Sequence, residues 1–360
     1  FMLALAWLSS LNLLDHPSRQ RAILWGTAFG LAFLARTDSV MILIWLGLYV
    51  LLKLPRPSRW ALVVIGAGTA GVVIAPWLIW NQVNFGSAFV QVSGVAVPWA
   101  VQTRYQMANP GAPLWQLSRD VLMNPEFWIR GDYLGAPMVL GFVLWPLGII
   151  GLWRGIRHPE TRQLAVIGGL ILFGGIVLLI IHTMIRWYPR PWYFIGTAQA
   201  LSISLALFWW VLGTARIRPL VLAVGTVITL ALASIAWQIG YYPWQRAQIY
   251  DAALWVKDHT PDETIVASMN SGIIGYYSER TTINLDGVVN PQAFAASRQT
   301  RLMDYAIESG VHYLLDFDHA LQQEYGPFMG QDYLQHLSEV TRIGNVYPGL
   351  GAYRIYEVHE

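Results

Sequence analysis

The 360-residue chain has no cysteine, and only 12% of its residues are charged, about half the share of an ordinary soluble domain. Without cysteine there is no disulfide framework, no thiolate nucleophile and no Cys-ligated zinc. Several motifs are missing as well: no G-x-x-x-x-G-K-[ST] loop, no G-x-G-x-x-G after a strand, no H-E-x-x-H and no G-x-S-x-G. Nucleotide hydrolysis, dinucleotide redox chemistry, zincin proteolysis and nucleophile-elbow hydrolysis lose their support with them. There is no N-x-[ST] sequon to signal glycan acceptance, and the eight histidines are scattered, which gives a transition-metal site little support.

Acid is scarce in one part of the chain only. Residues 1–240 hold 6 Asp+Glu and 16 Lys+Arg, whereas residues 241–360 hold 15 and 7, so the formal net charge of +2 is a cancellation of +10 against −8. With 55% hydrophobic residues, this split predicts a basic, apolar membrane part followed by an acidic, more polar part. The modest net charge offers nothing to nucleic acid. The chain opens on Phe1 inside an apolar run with no basic flank, which reads as a truncated start rather than a signal peptide.

A hydrocarbon core of about 30 Å takes roughly 20 apolar residues per helix, fewer inside a bundle. Apolar runs at about 1–14, 22–35, 40–53, 60–80, 136–153, 163–183, 192–213 and 219–239 predict eight spans, the first cut short. Alternate connections carry Arg19, Arg21, Lys53, Arg56, Arg59, Arg154, Arg157, Arg162, Arg216 and Arg218, which assigns them to the cytoplasm. Trp60, Trp77, Trp80, Trp153, Trp192 and Trp237 fall at span ends, as an aromatic belt would. The outward side then receives the turn at 35–39, the long loop at about 81–135, the turn at 182–191 and everything after Tyr241.

From about Trp244 the pattern alternates between amphipathic helix and strand. TIVASM, TTINLDG, VHYLLDF, SEVTRIG and AYRIYEV read as strands, with helical stretches between them. The expected fold class is therefore an α-helical integral membrane bundle of about eight spans over residues 1–240, followed by an extracytoplasmic α/β domain over residues 241–360.

Ionisable groups near membrane spans tend to mark a functional cavity. The outward candidates are Arg36 and Asp38 in ARTDS, and His182, Arg186, Tyr188, Arg190 and Tyr193 in IHTMIRWYPRPWYF. The long loop adds Arg104, Tyr105, Arg119, Asp120, Glu126, Arg130 and Asp132, with Trp99, Trp115, Phe127, Trp128 and Tyr133 as aromatics suited to a lid or to the membrane interface. Arg36 and Asp38 read either as a local ion pair or as cavity groups. Arg186 and Arg190 read either as side chains snorkelling to lipid phosphates or as a site gripping a lipid-borne phosphate. NLDGVVN reads as an ordinary Asp286-Gly287 turn or as part of an acceptor site.

Four stretches, GLAFLARTDSVMILIWLGLYVLL (30–52), APWLIWNQVNFGSAF (75–89), MIRWYPRPWYF (184–194) and VKDHTPDETIVASMNSGIIGYYSERTTINLDGVVN (256–290), resemble in this order the later two thirds of bacterial GT-C glycosyltransferases. The likeness is to the dolichyl-phosphate-mannose-protein mannosyltransferase and aminoarabinose transferase type. It implies transfer of a sugar from a polyprenyl-phosphate donor to a lipid, glycan or protein acceptor at the outer face of a membrane, most simply the bacterial plasma membrane. It further implies donor-phosphate binding by Arg186 and Arg36, joined by Arg190. Asp38, His182, Tyr188 and Tyr193 are then substrate-binding groups or supports for them. The catalytic carboxylate of that family falls before Phe1, and neither a cofactor nor a divalent metal is implied. The alternatives are a transporter or flippase of a lipid-linked substrate, and a non-catalytic assembly protein with an outer binding domain.

Overall fold

The computed structural model describes residues 1–88, 93–129, 138–186, 191–212 and 245–360 apart from 348–349, with five isolated positions between 219 and 234. The chain divides into two compact units. One comprises Phe1–Phe89 and Pro113–Leu232, the other Val90–Ala112 and Ala233–Glu360.

The first unit is helical: α1 (Met2–Asp15), α2 (Arg19–Ala35), α3 (Val40–Lys53) and α4 (Arg56–Phe85) precede an excursion through α5 (Ser93–Ala108) into the second unit. The chain then returns through α6 (Trp115–Met123), α7 (Pro125–Ile129), α8 (Met138–Arg157), α9 (Arg162–Met184) and α10 (Ile195–Leu212). Local chemistry sets the breaks. Ser18 caps α2 by accepting the Arg21 N–H at 3.3 Å. Helix α4 starts after Pro55 and ends on Gly86 in the left-handed region at φ 69°. Small residues let helix backbones meet: a Cβ at Gly26 of α2 would stand 2.1 Å from the Gly66 carbonyl oxygen of α4, and one at Gly151 of α8 would stand 2.0 Å from that of Ser204 in α10. The indole N–H of Trp25 donates to Ser10 Oγ at 3.0 Å, tying α2 to α1.

The expectation of about eight spans is corrected here. Among the described residues, two helices are long and apolar enough to cross a membrane: α4, with 30 residues, and α9, with 23. Helices α1 and α3 have 14 residues each, and at 1.5 Å per residue they reach only about 21 Å, short of a 30 Å hydrocarbon core. Helix α2 stops at 17 residues, where Arg36 leaves the helical conformation. The runs at 22–35 and 40–53 thus mark unbroken helices, but helices too short to cross. The expected span at 219–239 lies outside the described residues but for isolated positions.

The second unit holds a five-stranded sheet of β1 (Ile265–Ser268), β2 (Thr281–Asn284), β3 (Tyr313–Phe317), β4 (Leu337–Tyr347) and β5 (Gly351–Val358), in the order β2-β1-β3-β5-β4. The pairs β1–β2 and β1–β3 are parallel, and β5 runs antiparallel to both β3 and β4. Around it lie a π-helical turn (Gln245–Tyr250), α11 (Asp251–His259), α12 (Ser271–Tyr277), α13 (Pro291–Arg298), α14 (Leu302–Glu308) and α15 (Gly326–Met329). Val266, Leu314, Leu315, Tyr353 and Ile355 are buried at the centre. Helix α5 completes this unit. Its Ala96 and Ala100 are buried, the Trp99 ring lies 5.5 Å from Phe294 and 4.9 Å from Phe328, and Arg104 donates to the Glu324 carbonyl at 2.7 Å.

Candidate functional site

The polar cluster of the helical unit forms where α2 gives way to α3. Arg36 leaves helical geometry with extended backbone, and Thr37–Ser39 make one 3-10 turn. Ser39 Oγ donates back to the Ala32 carbonyl at 3.0 Å, fixing the corner. In this frame Arg36 grips Asp38 with both arms of its fork: Nε donates to Oδ1 at 2.9 Å and Nη2 to Oδ2 at 2.6 Å.

Two other elements close on the pair. His182, near the end of α9, holds Nε2 3.3 Å from Asp38 Oδ2. Tyr193, in the 3-10 turn Pro191–Phe194, lies under the guanidinium with Arg36 Cζ 4.4 Å from its ring centroid, and its ring centroid is 4.3 Å from that of His182. Tyr193 is itself buried against Phe127, Leu179 and Phe194. Helix α6 fastens the end of α9, since Ser118 Oγ donates to the Thr183 carbonyl at 3.0 Å. Burial works to raise the Asp38 carboxyl, but the bonds from His182 and Arg36 outweigh it and hold the group below the usual carboxylate range.

Residues 146 positions apart in sequence, Arg36 and His182, therefore meet in one cluster with Asp38 and Tyr193. Arg186 follows His182 by four residues. It stands at φ 62°, a left-handed conformation that costs a non-glycine residue about 1–2 kcal/mol, and its N–H donates to the Thr183 carbonyl at 3.1 Å. Its Nε is buried with no hydrogen-bond partner among the described residues. Tyr188 and Arg190 lie outside the described residues.

The chemistry of the two arginines differs accordingly. Arg36 has its charge matched by Asp38, whereas Arg186 keeps an unmatched donor held in place by an αL backbone. Among the described residues no group of three His, Asp or Glu side chains gathers as a metal-ligand set.

The long 81–135 segment does not act as a single loop. Its α5 packs in the second unit, while α6 and α7 pack in the first, bringing Phe127 within 5.6 Å of Phe194. Arg119 and Asp120 pair with each other, both half-exposed; Arg130 and Asp132 lie outside the described residues. In the second unit, Asp286 Oδ1 accepts the Val288 N–H at 2.7 Å next to Gly287 at φ 76°, which is the geometry of a turn. Ser118 went unnoticed in the sequence, where a lone serine in WQLSRDVLM gives no signal of the carbonyl it meets.

A family model described as "Domain of unknown function (DUF8728)" matches residues 235–357. The chain is similar to that family over the sheet-bearing stretch, about a third of its length. No curated protein matches the chain.

Proposed function

We propose that the protein is a membrane glycosyltransferase that moves a sugar from a polyprenyl-phosphate donor to an acceptor at the outer face of the bilayer. The observation that carries this reading is the convergence of the 36–39 turn with the end of α9 and the 191–194 turn. These are the stretches that resemble the donor face of GT-C enzymes, and they meet as one polar cluster in an otherwise apolar unit.

Membrane placement is supported by what the helical unit shows to its surroundings. Thirty-three of the forty-one exposed large hydrophobic side chains among the described residues belong to it. A water-soluble surface rarely tolerates so much contiguous apolar area. Helices α4 and α9 are the segments long enough to anchor it, and the acidic second unit then belongs on the outer side, away from the basic connections.

When a polyprenyl phosphate leaves an anomeric carbon, negative charge grows on its oxygen. Cations already oriented for that charge lower the barrier by several kcal/mol. Arg186, with its unmatched buried Nε, is assigned the leaving phosphate. Arg36, braced by Asp38 below and Tyr193 on its face, is assigned a second contact. In turnover assays of the full-length protein with a polyprenyl-phosphate sugar, Arg186→Ala is expected to lower kcat about 100-fold or more. Unchanged turnover removes Arg186 from the mechanism.

A further inference from the structure

The α/β unit carries an aromatic cluster that its fold does not use. Tyr276 and Tyr277 end α12, are 77% and 43% exposed, and meet edge to face at 4.9 Å. Tyr250 continues the row, its ring 4.8 Å from Tyr277 at 88°. A soluble core draws tyrosines inward, yet Tyr276 and Tyr277 stand outward, with Tyr250 half-buried beside them. Such rings, apolar in body and polar at the tip, are the side chains that settle at the level of lipid headgroups.

Two further observations name the occupant of this face. First, Tyr250 closes the turn that starts at Gln245. Six residues earlier ends the uncharged run of residues 219–239, and six residues of extended chain reach about 20 Å at most. Second, the connecting sequence is itself aromatic, with Trp237, Tyr241, Tyr242 and Trp244.

We infer that the Tyr250–Tyr277–Tyr276 row is the face on which the α/β unit rests on the bilayer interface, its rings at headgroup depth. The inference rests on the membrane placement given above and goes beyond it. Contact of this kind orders the unit over the bilayer without a protein partner, through burial of ring area at about 25 cal/mol per Å².

Because the chain has no cysteine, a single introduced thiol can be labelled uniquely. The protein is reconstituted in phosphatidylcholine–phosphatidylglycerol nanodiscs with a nitroxide on Tyr276→Cys or, separately, on Val72→Cys, the latter 74% exposed on α4. Relaxation by oxygen and by a nickel chelate then reports depth. The expected result is a lipid signature at position 72, with oxygen favoured strongly, and a headgroup signature at position 276, with the nickel chelate at least threefold less effective than on a label in buffer. A lipid signature at position 72 with a fully aqueous signature at position 276 overturns the inference and leaves the membrane placement standing. An aqueous signature at both positions overturns both.

Discussion

The two units both bury large side chains, but they differ in what they leave exposed. The sheet-bearing unit keeps a closed side-chain core, in which Tyr353, Phe328, Leu314 and Ile355 are almost wholly inaccessible, and exposes few large apolar groups. The helical unit also buries large side chains, Leu13, Leu46, Ile171 and Leu201 among them, but its helices meet backbone to backbone as well, at Gly26 against Gly66 and Gly151 against Ser204, while Val64, Val72, Ile79 and Trp80 of α4 point outward. In the bilayer proposed above, where the surroundings are as apolar as the side chains, close backbone approach and interhelical hydrogen bonds such as Trp25 to Ser10 add to the cohesion. Buried side chains serve both units, and in the first the glycines add a second means of cohesion by letting helix backbones touch.

The largest test of this contrast is Gly26→Leu. Its new Cβ meets the backbone of Gly66 rather than a side chain that can move aside. Separation of α2 from α4 is expected to cost about 4 kcal/mol, at the upper end of overpacking penalties. Thermal unfolding in detergent, followed by hydrogen exchange peptide by peptide, should show loss of protection in α2 and α4 with the sheet unaffected. Equal loss in both units would break the distinction.

A smaller effect belongs to the sheet. Asp316, wholly buried on β3, accepts the Met269 and Asn270 N–H groups and Ser268 Oγ–H on Oδ2, and the Phe317 N–H on Oδ1. Burial nonetheless pushes its carboxyl up from 3.8 to about 6, against the pull of those four donors. The folded unit thus keeps a proton that the unfolded chain releases. Its contribution to stability is full below pH 3.8 and is lost as pH rises to about 6. The loss is of order 3 kcal/mol. Urea unfolding of the sheet at a series of pH values should show this downward slope, and Asp316→Asn should abolish it. An upward slope carried by Asp316 would mean that the four donors prevail over burial.

How far the sequence disclosed these features depended on the range of the interaction. Strand positions were legible because alternation and β-branched content are local: β1, β2 and β3 fall within TIVASM, TTINLDG and VHYLLDF, and β5 starts one residue before AYRIYEV. The Asp in VHYLLDF was not singled out, since three of its four donors lie 46 to 48 residues away. The number of membrane-length helices was misread although the apolar runs at 22–35 and 40–53 fall on α2 and α3, because runs of about 14 residues were counted as spans and the helices do not extend far enough to cross. Placement of α5 with the sheet was beyond reach, since its partners Phe294, Glu324 and Phe328 lie about 200 residues away. At the candidate site, both segments were identified by their charges and prolines, but the choice between a local ion pair and a cavity group for Arg36 needed the geometry. Arg36 forms the pair and also joins His182 and Tyr193.

The smallest stability effects come from two arginine–aspartate pairs that look alike and differ in surroundings. In the sheet, Arg354 binds Asp318 at 2.7 Å and also Glu339, joining β5 to the end of β3 and to β4. In the helical unit, Arg36 binds Asp38 while an aromatic face and a histidine complete its setting, one turn of helix before Arg186. Partly exposed pairs of this kind contribute roughly 1 kcal/mol or less. Arg354→Ala and Arg36→Ala are both expected to lower stability by about that amount, measured by unfolding in detergent. Their effects on sugar transfer should separate: Arg354→Ala leaves turnover within about twofold, and Arg36→Ala lowers it about tenfold, the equivalent of about 1.4 kcal/mol in the barrier. If both variants leave turnover alone, Arg36–Asp38 serves only to hold the α2–α3 corner, as Arg354–Asp318 holds the sheet, and the donor phosphate must be met by Arg186 without it.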